Sequence, residues 1–154
     1  MLRLGVPREP NLDDHKRREF RNLLSTLDVD REQSRLRERE RKIERNRYVY
    51  RFEELTREVI LPTLRELMLD LEKKGHLTRL TRKAADRLRF DVQIETGTAR
   101  RGALEIGVHP AEPGKVKVDY AWGWKQGEPE VYPLEEIDAG LVAGFVLKLL
   151  KGLT

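Results

Sequence analysis

The amino-acid sequence predicts an α+β fold in which a long charged N-terminal helical arm precedes an antiparallel meander sheet of three to five strands. A Pro-kinked helix and a C-terminal helix are predicted to pack on that sheet. The prediction depends on helical spacing of apolar residues before residue 75, two-residue alternation after residue 87, and a capped apolar helix at the end. Charged residues make up 38% of the 154 residues, against about 25% in average globular domains.

The chain is divided by composition into a flexible lead-in, residues 1–10, a charged helical arm, residues 11–51, and an α+β body, residues 52–154. Asn11 or Asp13 is suited to cap the first helix. One helical face then carries four apolar residues at spacings 0, 3, 4 and 7: Phe20, Leu23, Leu24 and Leu27. The run Asp28–Asp30 is expected to interrupt this helix.

The segment Arg31–Arg51 carries nine basic and four acidic residues. Leu36, Ile43 and Tyr50 are seven residues apart, which is typical of one position of a coiled-coil seam. Arg39 and Asn46 occupy the complementary position and are polar, so the sequence predicts a weak coiled coil. Such a helix is expected to depend on a partner and on ion pairs such as Glu38–Lys42.

A wide apolar stripe over residues 52–71 predicts a helix that packs on the core, with a kink at Pro62. Gly75 is expected to end it. Residues 76–86 fit either a strand that begins near Leu77 or a short helix capped by Thr81, and the strand is favoured.

Apolar and polar residues alternate in three segments after residue 87, as expected for strands with one solvent-facing side. Turns are predicted at Gly97–Gly102 and Pro110–Gly114, and a hairpin loop at Lys125–Gly127 with its glycine left-handed. A short edge strand is expected at Val131–Tyr132, since prolines flank it.

The last helix is predicted to begin after Asp138 as N-cap and to end at Gly152. Gly140 and Gly144 are four residues apart. Because they have no side chain, they are expected to let this helix approach the sheet or another helix closely.

Sequence patterns of enzymes and metal proteins are missing, so we predict no catalytic residue, no cofactor and no metal site. The chain has no cysteine, which excludes disulfides and thiolate ligands. The histidines are His15, His76 and His109, in three different elements. Ser25 and Ser34 lie in the arm, outside any nucleophile elbow. The strand carboxylates Glu105, Asp119, Glu128 and Glu130 are expected on a solvated sheet face rather than in a glycosidase pair.

The N-terminal residues lack the apolar stretch of a secretory signal. The longest apolar stretch, Ala139–Leu147, is far shorter than a membrane span. We therefore expect a cytoplasmic protein that does not enter a membrane.

The basic residues of the arm are the first candidate binding site, for nucleic acid or for a protein: Arg35, Arg37, Arg39, Arg41, Lys42, Arg45, Arg47 and Arg51. An exposed basic helix can follow a phosphate backbone. Interleaved glutamates favour the alternative, a solvated helix with internal ion pairs.

Aromatic residues near the last hairpin are the second candidate, as a stacking or peptide-binding surface: Tyr120, Trp122, Trp124 and Tyr132. Tyr120 and Trp122 continue the alternation of the apolar residues before them, so burial in the core is favoured for both. Trp124 is the residue most expected to be exposed.

Taken together, the sequence predicts a non-enzymatic interaction protein that self-associates, as a homodimer, or docks a protein partner through the arm. A nucleic-acid-binding protein that uses residues 35–51 is the alternative.

Overall fold

Helix α1 spans Asp14–Leu55 without a break in the computed structural model, which describes residues 13–154. Asp13 caps it, since its Oδ1 accepts a hydrogen bond from the Lys16 amide at 2.8 Å. The expected interruption at Asp28–Asp30 is wrong. An exposed Asp costs a helix only about 0.7 kcal/mol relative to Ala, which is too little to end it. The predicted lead-in, residues 1–10, and the alternative cap Asn11 lie outside the described residues.

A π-helical turn, Thr56–Ile60, joins α1 to helix α2, which spans Leu61–Lys73 and has Pro62 in its first turn. Proline lacks an N–H group and its ring crowds the carbonyl four residues earlier, and a wider turn relieves both conflicts. The irregularity predicted at Pro62 is thus a π-turn. Gly75, with φ of 85°, ends the helix as predicted.

Within residues 13–154, six strands form one antiparallel sheet. They are β1 Leu77–Ala84, β2 Arg87–Thr96, β3 Thr98–Val108, β4 Lys115–Trp122, β5 Lys125–Gln126 and β6 Glu130–Pro133. Strands β1 to β4 follow one another as a meander, and β5 and β6 both pair with β4. The strand that was favoured for residues 76–86 is therefore present, and β6 is the predicted edge strand. The chain has the α+β fold that the sequence predicts.

Two predicted turns are misplaced. Gly97 alone, with φ of 77°, reverses the chain between β2 and β3, and Gly102 lies inside β3 opposite Trp122. In the last hairpin the left-handed glycine is Gly123, with φ of 63°, rather than Gly127. Lys125 already pairs with Trp122 there, so a two-residue connection suffices, as is usual for hairpins.

The core lies between one face of the sheet and the helices. The register aligns Phe90, Leu104 and Tyr120 across three strands, and all three are buried. The helices cover them with the buried residues Phe52, Ile60, Leu64, Val142, Phe145 and Leu149. This face and its solvated opposite are the arrangement that the strand alternation predicts.

Helix α3 spans Ala139–Gly152, and Asp138 caps it as predicted, with Oδ1 2.7 Å from the Leu141 amide. The expected close approach at Gly140 and Gly144 is wrong. A Cβ at Gly144 would meet nothing within 4 Å, whereas one at Gly152 would overlap the Trp122 ring. The glycine that permits close packing is therefore the one at the end of the helix.

The chain divides into two compact units, Met1–Lys42 and Ile43–Thr154. The first contributes the larger part of α1, and the second contains the end of α1 and the α+β body.

Candidate interaction surfaces

The apolar face predicted at the start of the arm is exposed. In the first unit every described residue is exposed. Phe20 is 62% exposed, Leu23 57%, Leu24 45% and Leu27 54%. Their spacing places all four on one side of α1. We call this set the apolar stripe. No described residue of the first unit covers it.

The seven-residue seam is also exposed. Leu36 lies in the first unit and is half exposed, and Ile43 and Tyr50, in the second unit, are more exposed still. The polar residues Arg39 and Asn46 are exposed as well. In neither unit do the described residues cover the predicted seam.

The basic residues of the arm are exposed and have no carboxylate within 4.0 Å among residues 13–154. Arg35, Arg37, Arg39, Arg41 and Lys42 belong to the first unit and Arg45, Arg47 and Arg51 to the second. The expected Glu38–Lys42 pair is not formed, since exposed pairs gain little over the side-chain entropy that they cost. Arginines two residues apart point to opposite sides of the helix, so the basic groups surround α1 rather than form one stripe.

The aromatic residues do not form one exposed surface, since of the four only Trp124 is fully exposed. Tyr120 is buried and stacks on Trp122, with ring centroids 5.7 Å apart. Trp122 and Tyr132 are half-buried, and Trp122 Nε1 donates a hydrogen bond to Leu149 O at 2.9 Å. Trp124 is fully exposed, as expected. The favoured burial is therefore confirmed for Tyr120, whereas Trp122 is half-buried against the core.

A polar cluster that sequence reasoning missed joins β6 to α3. Glu130 accepts a hydrogen bond from Tyr132 Oη at 2.8 Å and lies 3.3 Å from Lys148 Nζ. Lys148 also lies 4.7 Å above the Tyr120 ring. Burial alone would raise the pKa of Glu130, but the hydrogen bond from Tyr132 and the nearby Lys148 ammonium and Tyr120 hydroxyl outweigh it and lower that pKa. Burial, with Glu130 nearby, raises the pKa of Tyr120. No spacing in the sequence signals this cluster, because it joins two separate elements.

The solvated sheet face pairs its carboxylates with neighbouring cations. Glu105 lies 2.6 Å from Lys83 and 3.7 Å from Arg89, and Asp119 lies 3.8 Å from Lys117. The hydrogen bond from Lys83 lowers the pKa of Glu105 and outweighs its partial burial. Glu105 and Asp119 are thus placed as predicted, on the polar face.

The histidines lie in three separate surroundings. His76 Nδ1 accepts a hydrogen bond from the Glu95 amide at 3.1 Å. His109 Nδ1 accepts from the Ala111 and Glu112 amides at 3.1 and 2.8 Å. His15 lies beside Glu19. Over residues 13–154, no three histidine or acidic side chains are grouped as a metal site would require.

No α-helix in the described part of the chain combines the length and the apolar character needed to cross a membrane.

No family model, curated protein or solved structure matches this chain. The functional argument therefore depends on the surfaces described above.

Proposed function

We propose that this is a non-enzymatic interaction protein that binds another protein chain, a second copy or a partner, through the first part of α1. The observation that carries the proposal is the apolar stripe, four large apolar residues on one side of a charged helix that no described residue of their unit covers. Contiguous apolar surface of this kind is typical of protein–protein contacts.

The energetics of an isolated helix support the same proposal. Helices gain most of their stability in proteins by packing an amphipathic face rather than from intrinsic propensity. The first unit contains only the α1 helix in its described part, and each of its described residues is exposed. Burying the stripe against a second helix would supply the missing packing.

The non-enzymatic part of the proposal is supported by the carboxylates. A general acid needs a raised pKa, but ion pairing and hydrogen bonding lower the pKa of both Glu105 and Glu130. These side chains are therefore held as ionised partners of Lys83 and Lys148.

Sedimentation equilibrium of the full chain tests self-association, and pull-down from a lysate tests a partner protein. The stripe variant replaces Phe20, Leu24 and Leu27 by Glu. The matched control replaces Arg18, Asn22 and Ser25 by Glu, which adds at least as much negative charge to the opposite side of the same helix. We expect the stripe variant to lose the association and the control to keep it. A monomeric parent chain that retains no protein in the pull-down would contradict the proposal.

Nucleic-acid binding is the second candidate, because the five candidate basic residues in the first unit, Arg35, Arg37, Arg39, Arg41 and Lys42, have no carboxylate within 4.0 Å among the described residues. Their distribution around the helix weakens it, since a phosphate backbone contacts one side. Fluorescence anisotropy with duplex DNA and single-stranded RNA at low and physiological salt tests it. Binding that falls steeply with salt, and that is lost when Arg35, Arg39 and Lys42 become Glu, would favour this candidate.

A further inference from the structure

Strand β1 is an open edge of the sheet. It pairs with β2 on one side, and within residues 13–154 its main chain makes no other hydrogen bond. Every second residue of an edge strand directs its N–H and C=O groups away from the sheet. The eight residues of β1 therefore leave the N–H and C=O groups of about four residues free to pair with an added strand.

The opposite edge is protected more strongly than this one, whose protection is limited to charged side chains and a register shift between Arg82 and Ala84. β6 has four residues and ends at Pro133, with Pro129 just before it, and β5 has two residues. Short strands and prolines are the usual protection of an edge against further pairing. β1 contains no proline, and its pairing with β2 is regular from Leu77 to Arg82.

Grooves flank β1 on both faces of the sheet. On the solvated face a groove of ≈ 580 Å³ includes Arg79, Thr81 and Lys83 in its lining. On the helix-covered face a groove of ≈ 500 Å³ lies between Arg82 and the helical residues Arg57 and Leu61. An extended chain beside β1 would direct alternate side chains to the two faces of the sheet.

The charge of β1 determines which kind of added strand would bind beside it. β1 carries Arg79, Arg82 and Lys83 and no acidic residue. Arg82 pairs with Glu53 and Lys83 with Glu105, so Arg79 is the cation of β1 that has no carboxylate within 4.0 Å among residues 13–154. Antiparallel pairing of β1 with β1 of a second copy would place two Arg79 side chains on the joined sheet without adding a carboxylate, and like charges across strands are destabilising. On the helix-covered face the half-buried Leu80 and Leu61 present apolar surface. The complementary strand thus carries acidic side chains on one face and apolar side chains on the other.

We infer that β1 is a docking edge for an extended segment of another protein in which acidic and apolar residues alternate, bound by β-strand addition. The acidic side chains lie on the face of Arg79, and the apolar ones on the face of Leu80 and Leu61. This surface belongs to the second unit and the apolar stripe to the first, and the two share no residue.

Fluorescence anisotropy with a labelled peptide of alternating Glu and Val, as long as β1, tests the inference on the full chain. Comparison peptides carry Lys in place of Glu, or the same residues in two blocks. The edge variant combines Arg79→Glu with Thr81→Glu. The matched control combines Lys125→Glu with Gln126→Glu in β5, where both residues are exposed and the charge change is identical. Circular dichroism establishes that each variant is folded.

We expect the alternating Glu–Val peptide to bind, the comparison peptides to bind much more weakly, and the edge variant to bind about tenfold more weakly than the control. Hydrogen exchange followed by NMR should show slower exchange at alternate β1 amides when the peptide is present. The inference would be overturned if the Lys peptide bound as tightly as the Glu peptide, or if the edge variant and the control lost the same amount of affinity. It would also be overturned if the peptide slowed hydrogen exchange at amides outside β1 instead. β1 protection that rises with protein concentration alone would overturn it as well, because the occupant would then be a second copy.

Discussion

Replacing Gly152 by Ala tests the packing of α3 on the sheet. In most helices this change stabilises, because Gly costs about 1 kcal/mol relative to Ala in a helix interior. At Gly152 a Cβ would overlap the Trp122 indole, at Nε1, Cε2 and Cδ1. We therefore expect the opposite sign, a loss of stability.

The size of the expected loss in stability follows from the Trp122 contacts that the added Cβ would disrupt. Trp122 Nε1 donates a 2.9 Å hydrogen bond to Leu149 O, worth about 1 kcal/mol. Displacing a packed ring, here stacked on Tyr120, costs about 1–3 kcal/mol. The helix-propensity gain is below about 1 kcal/mol, because Gly152 is the last residue of α3. The net expectation is a free energy of unfolding lower by about 1–3 kcal/mol.

Urea unfolding followed by circular dichroism and by tryptophan fluorescence measures the change, and the urea midpoint should fall by about 1 M. Gly144→Ala is the matched control on the same helix, since a Cβ there meets nothing within 4 Å. It should raise the free energy of unfolding by about 0.5–1 kcal/mol. In a Trp122→Leu background, the cost of Gly152→Ala should largely disappear.

A Gly152→Ala chain that is as stable as the parent, while Gly144→Ala stabilises as expected, would refute the reasoning. Equal costs of Gly152→Ala with and without the indole would refute it as well, because Trp122 would then not be the residue displaced.

Asp138→Ala removes the hydrogen bond to the Leu141 amide and should cost about 1 kcal/mol in urea unfolding, whereas Asp138→Asn should restore most of it. Leu104→Ala, at a fully buried position in β3, should cost about 2–5 kcal/mol, while Leu77→Ala at the exposed start of β1 should change thermal unfolding little. Glu105 has its pKa lowered by Lys83 from 4.5, so its ionised form stabilises the fold above pH 4.5 and that contribution is lost as the pH falls through the lowered value. Glu105→Gln should therefore be less stable than the parent at neutral pH, and the difference in thermal unfolding should shrink as the pH falls below 4.5.

Local spacing and capping chemistry predicted the elements. Asp138 marks the start of a helix because its carboxylate accepts a hydrogen bond from a main-chain N–H group of the first turn. Gly75 marks the end of a helix because glycine readily adopts a positive φ. The alternation over β2 and β4 indicated which residues face the core, since successive side chains of a strand point to opposite faces of the sheet. Tyr120 and Trp122 were predicted to be buried for that reason.

Two of the wrong predictions, of one turn and of the close-packing glycine, arose where several local conformations have similar energies. A turn can close at Gly97 or span to Gly102, and the pairing of β2 with β3 as far as Thr96 and Thr98 chooses between them. Gly152 rather than Gly144 became the close-packing glycine because Trp122 lies against the end of α3, a contact between residues far apart in the chain.

The sequence by itself determined the α+β class, the order of helices and strands, and the exposed charged helix, because these follow from periodicity within one segment. Only the tertiary structure decided that β1 is an open edge of the sheet, that Glu130 lies between Tyr132 and Lys148, and that Glu105 pairs with Lys83. Those features join residues from different elements, and they exist only once the chain has paid the entropy of bringing those elements together.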